Sequence, residues 1–264
     1  MEMKKVMTIA GSDSGAGAGI QADLKAIAAM GAYGTTAITS VTVQNTLGVW
    51  GVCNLPLEIV EAQIDAIMED ISTHAAKTGM LATKEIILLV SKKVKEYKIH
   101  KLVVDPVMVA TSGDILLEND AVETLIHELI PLAEVVTPNV KEAEVLSGVT
   151  IHTIQDMEAA AKKIAEMGPK YVIVTGGHIE GDATDILYDG KEIFYFSGKR
   201  IHTNNTHGTG CTYSAALAAC IAQEITVIDA VGKVKQYITG ALVNSLSIGK
   251  GSGPVDHFWM TEGK

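Results

Sequence analysis

The stretches Lys101-Leu-Val-Val-Asp105 and Tyr171-Val-Ile-Val-Thr175 carry apolar side chains at both odd and even positions. A strand with one wet face alternates apolar and polar residues, whereas a strand covered on both faces does not. These two runs are therefore expected inside a sheet that has helices on each side. Working outward, similar short runs occupy residues 5–10, 34–41, 75–78 and 134–137, beside 101–104 and 171–175. Helical patterns fill the gaps at 20–30, 56–71, 84–98, 119–129, 141–147 and 154–167. Alternation of this kind implies a mostly parallel central sheet flanked by helices on both faces, an α/β/α sandwich. Beyond Gly177 the pattern changes. Residues 182–188 and 193–197 flank Asp189-Gly190, a hairpin signal, because both residues tolerate the positive φ of a tight primed turn. Two alanine-rich helices, 209–223 and 227–248, close the chain. No internal repeat or Pro/Ser linker interrupts residues 1–264, which are read as one domain.

Composition narrows the function. At 264 residues and 47% hydrophobic, the chain can bury a sizeable core without disulfides or a structural metal. Glycine and proline together number only 31, too few for a fibrous or disordered protein. A net charge of −10 opposes nucleic acid and anionic lipid as main partners. It leaves room for a phosphorylated ligand screened by Mg²⁺ or held by backbone amides. Cys53, Cys211 and Cys220 are odd in number and lack metal-ligand spacing, so free thiols in a reducing compartment are expected. No apolar run approaches the roughly 18 residues of a membrane span, and no signal-like region opens the chain. A cytoplasmic location follows as the expectation.

In open α/β sheets, ligands bind beyond the carboxyl ends of the strands, and five clusters fall there. Ala10-Gly-Ser-Asp-Ser-Gly-Ala-Gly-Ala-Gly19 follows the first strand. It is not a phosphate loop, because GxxxxGK[ST] needs a lysine and none lies between Lys5 and Lys25. Nor is it a dinucleotide fingerprint: Gly15, Gly17 and Gly19 give only GxGxG, which also disfavours a nicotinamide dehydrogenase. Asp13 would repel a phosphate, so a neutral polar molecule touched by glycine backbone and by Asp23 is one reading; a helix-capping loop is the other. Gln44, after the second strand, offers a donor and an acceptor side by side, matching an aminopyrimidine edge, although it also suits an ordinary loop. Met80 follows the third strand and suits either a flat ring or plain packing. Asp105 ends a buried strand and suits either Mg²⁺ held through water or a turn cap. Asn139 and Glu142, three apart, suit one Mg²⁺–phosphate unit or a capping box. The fifth cluster, Asn204-Asn-Thr-His-Gly-Thr-Gly-Cys-Thr212, opens a helix. Gly208 and Gly210 let backbone N–H groups converge, and the helix N-terminus adds about half a positive charge, an anion hole for a transferring phosphoryl group. The same field is expected to lower the Cys211 thiol below the usual ~8.5, so that its thiolate accepts a substrate proton.

Taken together, AGSDSGAGAGIQADLK, TSVTVQNTLGV, KTGML, VVDPVMVATSG, TPNVKEAEVL, VTGGH and NTHGTGCTYSAALAA resemble the hydroxymethylpyrimidine/phosphomethylpyrimidine kinases of thiamine biosynthesis. Those are ribokinase-like enzymes. The resemblance runs over residues 10–219. It implies a ribokinase-like fold, MgATP, two successive phosphorylations of 4-amino-5-hydroxymethyl-2-methylpyrimidine, and a homodimer. By the same resemblance Gly11, Asp23, Thr42, Gln44, Met80 and Val107 would line the pyrimidine pocket. Asp105, Asn139 and Glu142 would serve Mg²⁺ and ATP, while Gly208, Gly210 and Cys211 would form the anion hole with its base. Two departures stand out. Thr42 replaces a frequent valine, and Thr175 stands where many such enzymes carry a phosphate-binding lysine, a hydroxyl in place of a charge. Lys235 in the last helix is expected to compensate. A pyridoxal/pyridoxine kinase is the alternative substrate reading. A non-catalytic pyrimidine-binding regulator is disfavoured because the metal and anion-hole residues are all present.

Overall fold

A computed structural model describes residues 2–109, 113, 116–117, 119–177 and 181–261. Ala110, Thr111 and Ser112 of VVDPVMVATSG and His178 of VTGGH lie outside the described residues. Among the described residues, nine strands form one sheet in the order β3-β2-β1-β4-β5-β6-β7-β8-β9. The strands are β1 Lys5–Asp13, β2 Tyr33–Asn45, β3 Gly48–Asn54, β4 Ala75–Thr78, β5 Leu102–Val104, β6 Val135–Val136, β7 Tyr171–Val174, β8 Ala183–Tyr188 and β9 Ile193–Gly198. β2, β1, β4, β5, β6 and β7 run parallel, while β3, β8 and β9 are joined by antiparallel pairing. The fold is thus the expected mostly parallel α/β/α sandwich, and the Asp189-Gly190 hairpin joins β8 to β9.

Alternate residues of each central strand feed two cores. Met7, Ile9, Leu102, Val104, Val136, Val172 and Val174 face one helical layer. That layer comprises α2 Leu57–Ala66, α3 Lys84–Glu96, α4 Asn119–Thr124, α5 Val140–Ser147 and α6 Ile154–Ala165. Val6, Val103, Val135 and Ile173 face α1 Gly19–Ala29, α7 Thr209–Ala222 and α8 Val227–Val243 on the other side. Helix α7 is buried along all its length after Cys211, as an all-round apolar helix must be. Its alanines let it lie close on β1, β4 and β5. This packing brings its N-terminus to the carboxyl ends of those strands.

Several expectations need correction. β3 was not anticipated; it pairs with a β2 that extends four residues past the expected end, and the two form a hairpin at the sheet edge. Strand β1 also runs on to Asp13, through a bulge between Ala10 and Ser12 that is matched by β2. The helix expected over 56–71 ends its regular part at Ala66. A wider turn follows, with the Ser72 N–H donating to Ile67 O. The helix expected over 119–129 is likewise regular only to Thr124. The last helix stops at Val243, after which the chain crosses back over the sheet end.

Candidate active site

β1 is the point where the sheet order reverses, with β2 on one side and β4 on the other. At such a switch point the loops leave in opposite directions and open a crevice. A cavity of about 680 Å³ lies there. The strand order lays out its walls. Thr42 and Gln44 come from β2, Gly11 from β1, Met80 follows β4, Asp105 and Val107 follow β5, Asn139 follows β6, and Thr175 follows β7. Gly208, Gly210 and Cys211 line the cavity from α7, and Lys235 lines it from α8. The residues expected at a pyrimidine therefore gather at the β2–β1–β4 end, and those expected at phosphates gather toward β5–β8.

Asp23 is the exception. It is fully buried in α1 and stands behind Lys77, not at the cavity wall. Lys77 Nζ lies 2.9 and 3.0 Å from the two Asp23 carboxylate oxygens and 3.9 Å from Asp105 Oδ2. Thr8 Oγ1 donates to Asp23 at 2.6 Å, and Ser214 Oγ donates to Asp105 at 2.9 Å. Burial by itself would discharge Lys77, but the carboxylates around it outweigh burial and hold its ammonium above the ordinary lysine range. Sequence reasoning missed Lys77 as a site residue. Its signal was a lone lysine in the otherwise uncharged strand Ala-Ala-Lys-Thr, all four residues of which are buried.

The thiol expectation is reversed. Burial, joined by the Asp23 and Asp105 charges and opposed by Lys77, pushes Cys211 up to about 12. The helix N-terminus favours a thiolate, yet the protein packed around the thiol and two nearby carboxylates disfavour it more strongly. Gly208 caps α7 at φ +77 without any side-chain bond, and a Cβ there would run into the Gly17 carbonyl oxygen. A β-carbon on Gly210 would meet nothing, so that glycine is not sterically required.

Asn139 and Glu142 do form the capping box: Asn139 N donates to Glu142 at 2.9 Å, and Glu142 N to Asn139 Oδ1 at 3.1 Å. Glu142 nevertheless reaches the cavity wall. Burial and then the Asp105 charge push it up to about 8. Burial and then the Asp23 charge raise Asp105 as well, and two buried carboxylates of raised proton affinity form a donor set suited to a divalent cation. No cluster of three or more metal-ligating side chains exists among the described residues. That pattern fits Mg²⁺, which keeps waters and takes its other ligands from substrate phosphates. Lys235 does not stand free: its Nζ is 2.9 Å from Asp185 Oδ2, whose other oxygen accepts from Gly176 N.

Two further networks went unread in the sequence. Asp13 accepts from the N–H groups of Gly15, Gly17 and Ala18 at 2.7, 3.0 and 2.8 Å, and lies 2.8 Å from His207 Nε2. A Cβ on Gly17 would overlap the His207 ring, so the two glycine-containing loops are clamped together. The second network involves the tail. His257 Nε2 lies 3.0 Å from Thr212 Oγ1, and Tyr237 OH donates to His257 O at 2.8 Å. These bonds strap the start of α7 from behind.

A cavity at the switch point, two buried carboxylates on its wall and a helix N-terminus with no side-chain cap facing it are in keeping with a ribokinase-like small-molecule kinase. The comparisons agree. The sequence profile of the phosphomethylpyrimidine kinase family matches residues 13–256. The chain is 45% identical over 260 residues to the hydroxymethylpyrimidine/phosphomethylpyrimidine kinase of Bacillus subtilis, covering 98% of this chain and 96% of that one. An ADP complex of Bacillus subtilis pyridoxal kinase superposes with a TM-score of 0.92 at 40% identity, covering 99% and 100% of the two chains. The pyridoxal kinase of Staphylococcus aureus bound to AMP-PCP and pyridoxal gives 0.91 at 34%, covering 100% and 97%. The chain spans about half the length of two curated relatives described as bifunctional thiamine biosynthesis proteins, from Oryza sativa and Geobacter sulfurreducens. This protein belongs to the phosphomethylpyrimidine kinase family.

Proposed function

We propose that this kinase transfers the γ-phosphoryl group of ATP to 4-amino-5-hydroxymethyl-2-methylpyrimidine and then to the resulting monophosphate. The observation that carries the reading is one cavity with the Gln44 carboxamide at one end and the uncapped α7 N-terminus at the other. In this reading Gln44 meets the amine and adjacent ring nitrogen, while Met80, Gly11, Thr42 and Val107 enclose the ring. Gly11 packs closely under the ring site: a Cβ there would stand 3.3 Å from the Met80 sulfur and would press that side chain aside. The N–H groups at Gly210 and Cys211 receive charge on the transferring phosphoryl, as first-turn amides without intrahelical partners. Mg²⁺ bound at Asp105 and Glu142 would supply countercharge to the phosphates. Cys211 rests as a thiol and can accept the hydroxyl proton only as the thiolate, after its own proton has left to solvent; a loose phosphoryl-transfer transition state lets that acceptance come late. Lys77 holds Asp23 and Asp105 in place. At the nucleotide end Lys141 and Lys199 line the cavity, and Thr175 contributes a hydroxyl. They supply positive charge there while Lys235 is engaged with Asp185.

One continuous nine-stranded sheet supports a single working domain. The family resemblance supports a homodimer in the cytoplasm, and no helix among the described residues is long and apolar enough to cross a membrane. The test is product analysis by mass with MgATP, offering the pyrimidine and pyridoxal separately. The expected products are the pyrimidine monophosphate followed by the diphosphate. Phosphorylation of pyridoxal alone would overturn the proposal in favour of the structurally similar vitamin B6 kinases.

A further inference from the structure

The residue at position 42 has a consequence that follows from counting protons. Gln44 is pinned through its backbone: its N–H donates to Ser14 Oγ at 2.9 Å, and the Ser14 hydroxyl donates back to its carbonyl at 2.7 Å. Its side chain lies between two polar groups. Oε1 is 3.1 Å from Thr42 Oγ1, and Nε2 is 3.4 Å from His207 Nε2. Thr42 Oγ1 is also 3.0 Å from the backbone carbonyl of Ser12, and His207 Nε2 is 2.8 Å from Asp13 Oδ2.

A carboxamide's oxygen and nitrogen are nearly the same size, so hydrogen-bond balance, not shape, decides which end points where. Asp13 is an ionised carboxylate. Its three backbone donors and His207 outweigh burial and keep it below the usual carboxylate range. It only accepts, so His207 Nε2 must carry the proton. The same nitrogen then cannot accept from a Gln44 amide N–H. The Ser12 carbonyl also only accepts, so the single Thr42 hydroxyl proton is committed to it. Thr42 Oγ1 is left with lone pairs facing Gln44 and requires a donor opposite. Both demands are met by one arrangement, in which the carboxamide is turned through 180°. Its NH₂ then donates to Thr42, and its oxygen faces the His207 N–H.

We propose that Thr42 is a specificity-positioning residue: its hydroxyl fixes the direction of the Gln44 carboxamide and thereby which donor–acceptor order the cavity reads on a ring. This rests on the reading of the cavity as an aminopyrimidine site. With the NH₂ on the Thr42 side, the remaining N–H meets a ring nitrogen, and the remaining lone pair of the oxygen receives an exocyclic amine. A ring carrying the opposite order, N–H beside C=O, meets donor against donor and acceptor against acceptor. Valine at position 42 would leave only the long contact to His207, whose proton is already shared with Asp13, and the carboxamide would be free to turn.

The experiment compares dissociation constants, without nucleotide, for 4-amino-5-hydroxymethyl-2-methylpyrimidine and its 4-oxo analogue. Wild type, Thr42→Val and Thr42→Ser are measured by titration calorimetry. Wild type should favour the amino ring by about tenfold or more, as expected when two half-buried hydrogen-bonding pairs are mismatched. In Thr42→Val that preference should shrink about fivefold, chiefly through tighter binding of the 4-oxo ring, and Thr42→Ser should restore it. An unchanged preference in Thr42→Val overturns the proposal, as does a serine variant that behaves like valine. A wild type that binds neither ring removes the aminopyrimidine reading itself, and this inference with it.

Discussion

The two ends of the cavity are built on opposite electrostatic plans. At the β2–β1–β4 end every strong group is answered by another protein group. Asp13 absorbs the loop amides before α1, Lys77 absorbs Asp23, and Thr42 and His207 flank Gln44. At the β5–β7 end the groups are left in conflict. Burial raises the proton affinity of both Asp105 and Glu142, the Asp105 charge raises Glu142 further, burial keeps Cys211 a thiol, and Gly208 opens α7 with no side-chain cap. Both regions present a glycine-containing loop followed by a helix. Neither helix has a side-chain cap, but only the first has an aspartate folded back onto the amides of its loop. Under the proposed function, a quenched end suits a neutral ring, and a frustrated end suits the charges of MgATP.

Removing the thiol from the frustrated end should have the largest effect. Cys211→Ala is expected to lower kcat by about 10²–10⁴, the range for loss of a positioned proton acceptor, with KM for the pyrimidine nearly unchanged. Steady-state kinetics check this, and an undiminished kcat would remove Cys211 from proton transfer. Next comes the carboxylate conflict. Glu142 holds its proton to about pH 8 when folded, whereas an unfolded glutamate releases it near 4.3. Between those values the folded state binds more protons, so stability should fall by a few kcal/mol as pH rises from about 5 to 8. Chemical denaturation across that range should show the slope in metal-free protein. Glu142→Gln should flatten it, and MgATP should reduce it; an equal slope in all three would mean the conflict is absent. The smallest effect is expected at the quenched end. Asp13→Asn removes the charge but keeps one acceptor, and should cost about 1.5–3 kcal/mol of stability. The wild-type contribution of Asp13 is present above about pH 4 and is lost as pH falls through its depressed folded value. A comparable acid loss in Asp13→Asn would place that dependence elsewhere.

Much of this was legible before folding. KLVVD and YVIVT read as doubly covered strands because burial on two faces leaves a two-parity mark. The HGTGC cluster drew an anion-site reading from the polar residues around its glycines, and its place on the cavity wall was fixed only by folding. What was illegible depended on partners far apart in the chain. The Lys77–Asp23 pair spans 54 residues and the Asp13–His207 pair spans 194. Neither leaves a periodic or local trace. The strand β3 was hidden because Gly48–Asn54 has mixed polarity and exposed residues, as an edge strand does.

The sequence by itself determined the alternation of strands and helices, the hairpin at Asp189-Gly190, the glycine-flanked start of α7, and the inventory of polar groups that the cavity collects. Periodicity, turn chemistry and residue type are local properties, and they survive in a one-dimensional reading. Tertiary structure alone decided the protonation and orientation of those groups. It packed protein and charges around the Cys211 thiol, turned Asp23 inward onto Lys77, tied Lys235 to Asp185, and set Gln44 between Thr42 and His207. Electrostatic free energies depend on burial and on distances of a few ångströms, and only the folded chain sets either.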